Sequence, residues 1–190
     1  EIELKNNINC SLQEFDILNR NDHDNFFKNI EYVPDIVICV IGLMQKKNSE
    51  LDLENEIDLV VKTNYLMPVI FIEKIINKLK NSKSEKTIIG VSSVAGERGR
   101  ASNYIYGSSK SGFTEYLSGL RQKLSKTNIN IITIKPGYIR TKMTENISGP
   151  DFLFSSTENV ARLIYQSYEK KKLIVYTGIW KYIMIIIRSI

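Results

Sequence analysis

Tyr106 and Lys110 stand four residues apart in the stretch "SSVAGERGRASNYIYGSSK", and Ser93 lies thirteen residues before the tyrosine. On a helix, residues at i and i+4 share a face, so the phenol and the ammonium would be neighbours. A nearby ammonium favours the phenolate and can draw a tyrosine, whose unperturbed pKa is about 10, toward working pH as a general acid or base. Ser93, at the end of a strand, can donate to the same substrate oxygen and hold it against Tyr106. Tyr-x-x-x-Lys alone is common on helices; the serine and the elements that present all three are what point to proton transfer.

Those elements alternate. Continuous apolar runs in "DIVICVIG", "KTIIGVSS", "INIITIKPG" and "KKLIVYTG" read as strands buried on both faces of a parallel sheet, and "NINCSLQEFDI" as a weaker strand ending at Asp16. Helical patterns fall at residues 22–30, 54–79, about 103–125 and 157–170, the last opened by a Ser155-x-x-Glu158 capping box. Alternation of this kind predicts right-handed crossovers and an α/β, doubly wound parallel sheet, Rossmann-like in class. Ligands then bind beyond the carboxyl ends of the strands. Asp16, Gly42, Ser92-Ser93 and Pro136-Gly137 fall at those ends.

Composition narrows the alternatives. With 190 residues and 43% hydrophobic content, the chain can build one sizeable core. The net charge of +5 is dispersed, so the lysines read as solvated and no nucleic-acid partner is expected. Cys10 and Cys39 sit in apolar runs that read as buried strands, which gives no disulfide framework or zinc site and suits a reducing cytoplasm. His23, the single histidine, lies in the polar run "NRNDHDN" and reads as a surface residue. No metal is expected. The chain starts without methionine and stops inside an apolar run, so it reads as a fragment.

The Ser93, Tyr106 and Lys110 pattern resembles the short-chain dehydrogenases/reductases, which share a serine followed thirteen positions later by Tyr-x-x-x-Lys. Asn64 in "KTNYLMPV" matches the family's fourth catalytic residue, and "PGYIRT", Pro136 to Thr141, resembles its loop over the nicotinamide. Asp16-Ile17 resembles the pair that contacts adenine. By this resemblance the cofactor is NAD(H) or NADP(H), held by Asp16, Ile17, Gly42, Tyr106, Lys110, Pro136, Gly137, Ile139 and Thr141. Tyr106 would be the acid/base, Lys110 would bind the nicotinamide ribose, Ser93 would orient the carbonyl, and Asn64 would hold a water linking Lys110 to solvent. Pro68 has no N–H for the Asn64 carbonyl, which offers that water an acceptor. The family's Asn-Asn-Ala-Gly is here "CVIG", Cys39 to Gly42, with only the glycine kept. The Gly-rich phosphate turn and the first β-α-β segment are not in the sequence, and with them goes the residue that would choose between NAD and NADP.

Within the family, "SSVAGERGRASNYIYGSSKSGF", "GLRQKL" and "IKPGYIRTKMT" are most similar to the 2-keto reductases of decaprenylphosphoryl ribose epimerisation. That branch implies a polyprenyl-phosphate-linked sugar and cell-envelope sugar biosynthesis, with Arg98, Arg100 and Arg140 as partners for its phosphate. The tail "GIWKYIMIIIRSI", residues 178–190 after a domain of residues 1–177, reads as an interfacial helix or as a core or dimer element. Its apolar face would be Trp180, Ile183, Met184 and Ile187, with Lys181 and Arg188 on another side. Expected partners are a small-molecule or lipid-linked sugar, a second copy of the chain and peripheral contact with a membrane from the cytoplasmic side. A soluble ketone or 3-ketoacyl thioester reductase and a non-catalytic dinucleotide sensor are the alternatives.

Overall fold

The fold was described from a computed structural model, in which residues 9–44 and 52–189 are described. The chain divides into two compact units, Glu1–Glu31 and Tyr32–Ile190.

In the first unit, helix α1 (Arg20–Asn29) starts at Asn19, whose side chain accepts from the Asn21 N–H at 3.0 Å. The expected strand ending at Asp16 does not form over its described residues, and Cys10 is exposed. Asp16 closes a side-chain turn instead, its Oδ1 accepting from the Leu18 N–H at 2.9 Å. His23 is the other correction. It is fully buried, its Nε2 lies 2.7 Å from the Ile17 carbonyl, and its ring packs on Phe15 with centroids 5.3 Å apart. The polar neighbours of His23 in sequence occupy the other faces of α1 and so concealed its inward position.

In the second unit four parallel strands, β1 (Ile36–Cys39), β2 (Lys86–Val91), β3 (Ile129–Lys135) and β6 (Ile174–Tyr176), form a sheet in the order β1-β2-β3-β6. Two short strands, β4 (Tyr138–Ile139) and β5 (Phe154–Ser155), pair beside it. Every residue of β2 is buried, as its uninterrupted apolar run predicts. β1 departs from that expectation, because Ile36 and Ile38 are exposed where β1 is an edge strand of the described sheet.

The helices follow the crossover pattern. α2 (Leu53–Val61) begins at Asp52, which accepts from the Asn55 N–H at 2.9 Å, and α3 (Met67–Leu79) continues it after a π-helical turn at Lys62–Leu66. One long helix was expected there. Pro68 explains the interruption: its ring would clash with the carbonyl four residues back, at Asn64, and widening the turn relieves that contact. α4 (Tyr104–Lys123) carries the tyrosine and lysine, and α5 (Thr157–Glu169) is capped by Ser156, one residue after the expected cap. α6 (Trp180–Arg188) packs Trp180 and Met184 against Val94, with Ile183 and Ile187 alongside. Ile89, Val91, Ile132, Ile134 and Val175 form the core of the sheet.

Candidate active site

Ser93 leaves the end of β2 in extended conformation and caps a single 3-10 turn, Val94–Gly96, by accepting from the Ala95 N–H at 3.1 Å. This turn meets α4 backbone to backbone. A Cβ on Gly96 would lie 2.7 Å from the Ser111 nitrogen, and one on Gly107 would lie 2.8 Å from the Ala95 carbonyl oxygen. Only glycine at both positions permits that approach, and the approach brings Tyr106 to Ser93. The serine hydroxyl is bonded to the phenol.

The electrostatics differ from the simple pairing of a tyrosine and a lysine. Burial raises the Tyr106 pKa above its ordinary value, and the hydrogen bond with Ser93 only partly opposes that. The phenol therefore keeps its proton at neutral pH. Lys110 lies beneath the ring, its Nζ 5.9 Å from the centroid, and is almost wholly buried. Burial lowers its pKa to about 8. Cys39, buried close by, has its thiol pushed up to about 11 and so stays neutral, leaving Lys110 without a counter-charge from that side.

Backbone oxygens hold the ammonium instead. Nζ donates to the Ile41 carbonyl at 2.7 Å and to the Val91 carbonyl at 3.2 Å. Gly42 makes this possible, since a Cβ there would stand 3.2 Å from Nζ and 3.5 Å from Cε. Asn64, fully buried in the π-helical turn, accepts from the Leu43 N–H at 2.6 Å and donates to the Leu43 carbonyl at 2.8 Å. Its amide also donates to the Ser109 hydroxyl at 3.0 Å, and Ser109 donates to the Tyr106 carbonyl at 2.8 Å. Asn64, Gly42 and Lys110 thus converge on one loop, and the Lys110 Nζ also lies 5.9 Å from the Tyr106 ring.

The Pro136-Gly137 loop follows β3. Pro136 accepts from the Val94 N–H at 3.0 Å, and the Gly137 N–H donates to the Thr177 hydroxyl at 2.9 Å. Ile139 lies in β4, and Thr141 caps a 3-10 turn, Lys142–Thr144, at the surface. Arg98 donates to the Ile187 carbonyl at the end of α6 at 2.8 Å. Arg140 pairs with Asp151 at 2.7 Å and lies over the Phe154 ring. Arg100 has no side-chain partner among the described residues. Asp16 and Ile17 belong to the first unit, where they turn the chain into α1.

Several contributors escaped sequence reasoning. Ile41, Val91 and Leu43 act through backbone atoms, which no residue type advertises. Ser109 and Trp180 stood inside motifs already singled out, and their partners were the missing information.

The donor set suits a nicotinamide ribose. An ammonium has three N–H donors, and two are used by described carbonyls, so one is left to turn toward a diol. The described residues contain no group of three or more His, Cys, Asp or Glu arranged to hold a metal.

A parallel α/β sheet with a serine, a tyrosine and a lysine converging past its strand ends defines a Rossmann-type oxidoreductase fold. Residues 2–151 match the family model for the short chain dehydrogenases, and the chain belongs to that family. An uncharacterised oxidoreductase of Mycobacterium tuberculosis is 30% identical over 117 residues, which is 62% of this chain and 46% of that protein. The ketoacyl reductase HetN of Nostoc is 30% identical over 61% of this chain and 42% of its own length. The chain thus spans less than half the length of these curated relatives. Among solved structures, a short chain dehydrogenase from Burkholderia cenocepacia in complex with NADP superposes with a TM-score of 0.77 at 20% identity, over 88% of this chain and 70% of that one. A 4-hydroxyisoleucine dehydrogenase complexed with NADH and succinate gives 0.79 at 20%, over 94% and 83%.

Proposed function

We propose that this chain is the catalytic part of an NAD(P)(H)-dependent reductase that protonates a carbonyl oxygen as it is reduced. The observation that carries the reading is the hydrogen bond between Ser93 and the buried, protonated Tyr106, with Lys110 behind them. When bound, a reduced nicotinamide would supply the hydride. Ser93 holds the substrate oxygen, and Tyr106 gives it the phenolic proton. Lys110, anchored by the Ile41 and Val91 carbonyls, presents its remaining N–H to the ribose and its charge to the phenolate left behind. Asn64 fixes the loop that carries Ile41 and Gly42. In this proposal Pro136, Gly137, Ile139 and Thr141 border the nicotinamide, and Asp16 and Ile17 the adenine.

For the substrate, the reading favoured is a keto sugar carried on a polyprenyl phosphate. Arg100, whose side chain has no described partner, is the arginine best placed chemically to take up a phosphate; Arg98 and Arg140 would have to leave Ile187 and Asp151. Ile179 just before α6 and Tyr182, Ile185 and Ile186 on it are exposed beside Lys181, which supports peripheral contact with an anionic membrane on the cytoplasmic side. No helix among the described residues is long and apolar enough to cross a membrane. The second reading is a 3-ketoacyl thioester reductase, favoured by the likeness to HetN. A homo-oligomer is expected under either reading.

The test is oxidation of NADH and NADPH by the full-length protein with a 2-keto pentose phosphate ester and with acetoacetyl-pantetheine. Tyr106→Phe should lose at least ~100-fold in turnover, the usual scale of general acid catalysis, and still quench on nucleotide addition. Equal turnover by the variant would reject the reading.

A further inference from the structure

Ser93 opens the Val94–Gly96 turn as its N-cap, and the residue that closes the turn is a buried acid. The side chain of Glu97 is 3% exposed and accepts from the Lys135 ammonium, from the Tyr176 hydroxyl at 3.1 Å and from Arg188 Nη1 at 3.1 Å. These partners come from three separate elements. Lys135 is the last residue of β3 and directly precedes Pro136-Gly137, Tyr176 ends β6, and Arg188 ends α6. The other end of the turn is tied to the same place, since the Val94 N–H donates to the Pro136 carbonyl. Val94 is also buried against Trp180 and Met184 of α6.

We infer that Glu97 is a positioning residue: its carboxylate gathers the ends of β3, β6 and α6 around the serine turn and thereby fixes the Ser93 hydroxyl against Tyr106. This rests on the oxidoreductase reading for the roles of Ser93 and Tyr106. The geometry gives the carboxylate a task that packing alone does not. Lys135 is itself 9% exposed on its side chain, so neutralising Glu97 leaves a buried ammonium with no anion among its described partners, and the end of β3 must shift to hydrate it. That end is where Val94 is held.

The test uses Glu97→Gln, which keeps shape and removes charge, in two measurements. Amide hydrogen exchange at Ala95 and Gly96, whose N–H groups donate to the Ser93 hydroxyl and carbonyl, should accelerate at least tenfold. The amides of β2 and the middle of α4 should not change; parallel acceleration of every slow amide would mean a general loss of stability and overturn the inference. The second measurement is kcat for Ser93→Ala, Glu97→Gln and the double variant, with whichever of the two keto probes turns over. If Glu97 acts through Ser93, Glu97→Gln lowers kcat at least fivefold with little change in the nucleotide Kd, and the double variant is no slower than Ser93→Ala alone. Losses that multiply would overturn the inference and leave the enzyme reading standing. Full turnover by Ser93→Ala would remove both. Should Glu97→Gln not fold, Arg188→Gln removes only the 64% exposed arm of the cluster and is expected to produce the same pattern at smaller amplitude. Unchanged Ala95 and Gly96 exchange in that variant would count as refutation.

Discussion

The carboxamide of Asn64 closes on both backbone polar groups of Leu43, accepting from its N–H at 2.6 Å and donating to its carbonyl at 2.8 Å. A side chain here does what a neighbouring strand would do. The loop so held carries Ile41, whose carbonyl grips the Lys110 ammonium, so Asn64 acts on the lysine at one remove. The π-helical turn lets the amide reach across, and Pro68 sits just past its end.

Asn64→Ala should therefore cost stability out of proportion to its size. It strands the Leu43 N–H and carbonyl beside a buried position, at about 1–3 kcal/mol for each group left unsatisfied. Urea denaturation would show the loss. A variant within ~0.5 kcal/mol of the parent would mean that the loop finds other partners.

Gly42→Val is expected to displace Lys110 rather than unfold the sheet, because the nearest atoms to a new Cβ are the flexible end of that lysine at 3.2 and 3.5 Å. In the proposed reductase, turnover should fall at least tenfold while the thermal midpoint moves by only a few degrees. A fall in the midpoint with normal turnover would reverse this account.

Lys110 itself makes a pH prediction. Its pKa drops from 10.5 when unfolded to about 8 in the folded chain, because burial penalises the ammonium. Below about 8 both states hold the proton and the penalty, roughly 3 kcal/mol by linkage, is constant. Between about 8 and 10.5 the unfolded state binds more protons, so stability rises with pH. The unfolding free energy of the parent minus that of Lys110→Met should rise in that window, and Cys39, present in both, largely cancels. A flat difference would show that Lys110 titrates normally.

Trp180 is the single tryptophan and reports on α6 directly. Its indole N–H donates to the Leu153 carbonyl at 2.9 Å, and the ring covers Gly137 so closely that a Cβ there would fall 1.9 Å from Nε1. Gly137→Ala should push the indole toward water, shifting its emission to the red and lowering the thermal midpoint. An unshifted spectrum would mean the loop moves instead of the helix.

Ser93, Tyr106 and Lys110, the residues proposed for catalysis, could be singled out because their signal is local: a serine ending an apolar run, and a tyrosine and lysine one helical turn apart. The strands β2 and β3 were legible for a related reason, since burial on both faces leaves an unbroken string of Ile and Val. What stayed hidden depends on partners distant in the chain. His23 is buried by Phe15 and Phe26 folding over it, which its polar neighbours do not reveal. The pKa of Tyr106 moves opposite to the direction expected from Lys110, because burial raises it and the Ser93 hydrogen bond opposes that only in part. Trp180, Ile183, Met184 and Ile187, the face an interfacial helix would have turned to a membrane, pack toward Val94, a direction that only the fold shows.

The position of α6 in the chain has a consequence for synthesis. Chains emerge from the ribosome amino end first, and domains organise in that order. The residues that brace the serine turn from outside, Trp180, Met184 and Arg188, are translated long after Ser93 and Tyr106. The nascent protein can therefore pair β1, β2 and β3 and pack α4 while Tyr106 still faces an unbraced serine. A product cut short between β6 and α6 would therefore hold Ser93 and Tyr106 without Trp180, Met184 and Arg188 around the serine turn, and in the proposed reductase it is expected to turn over slowly.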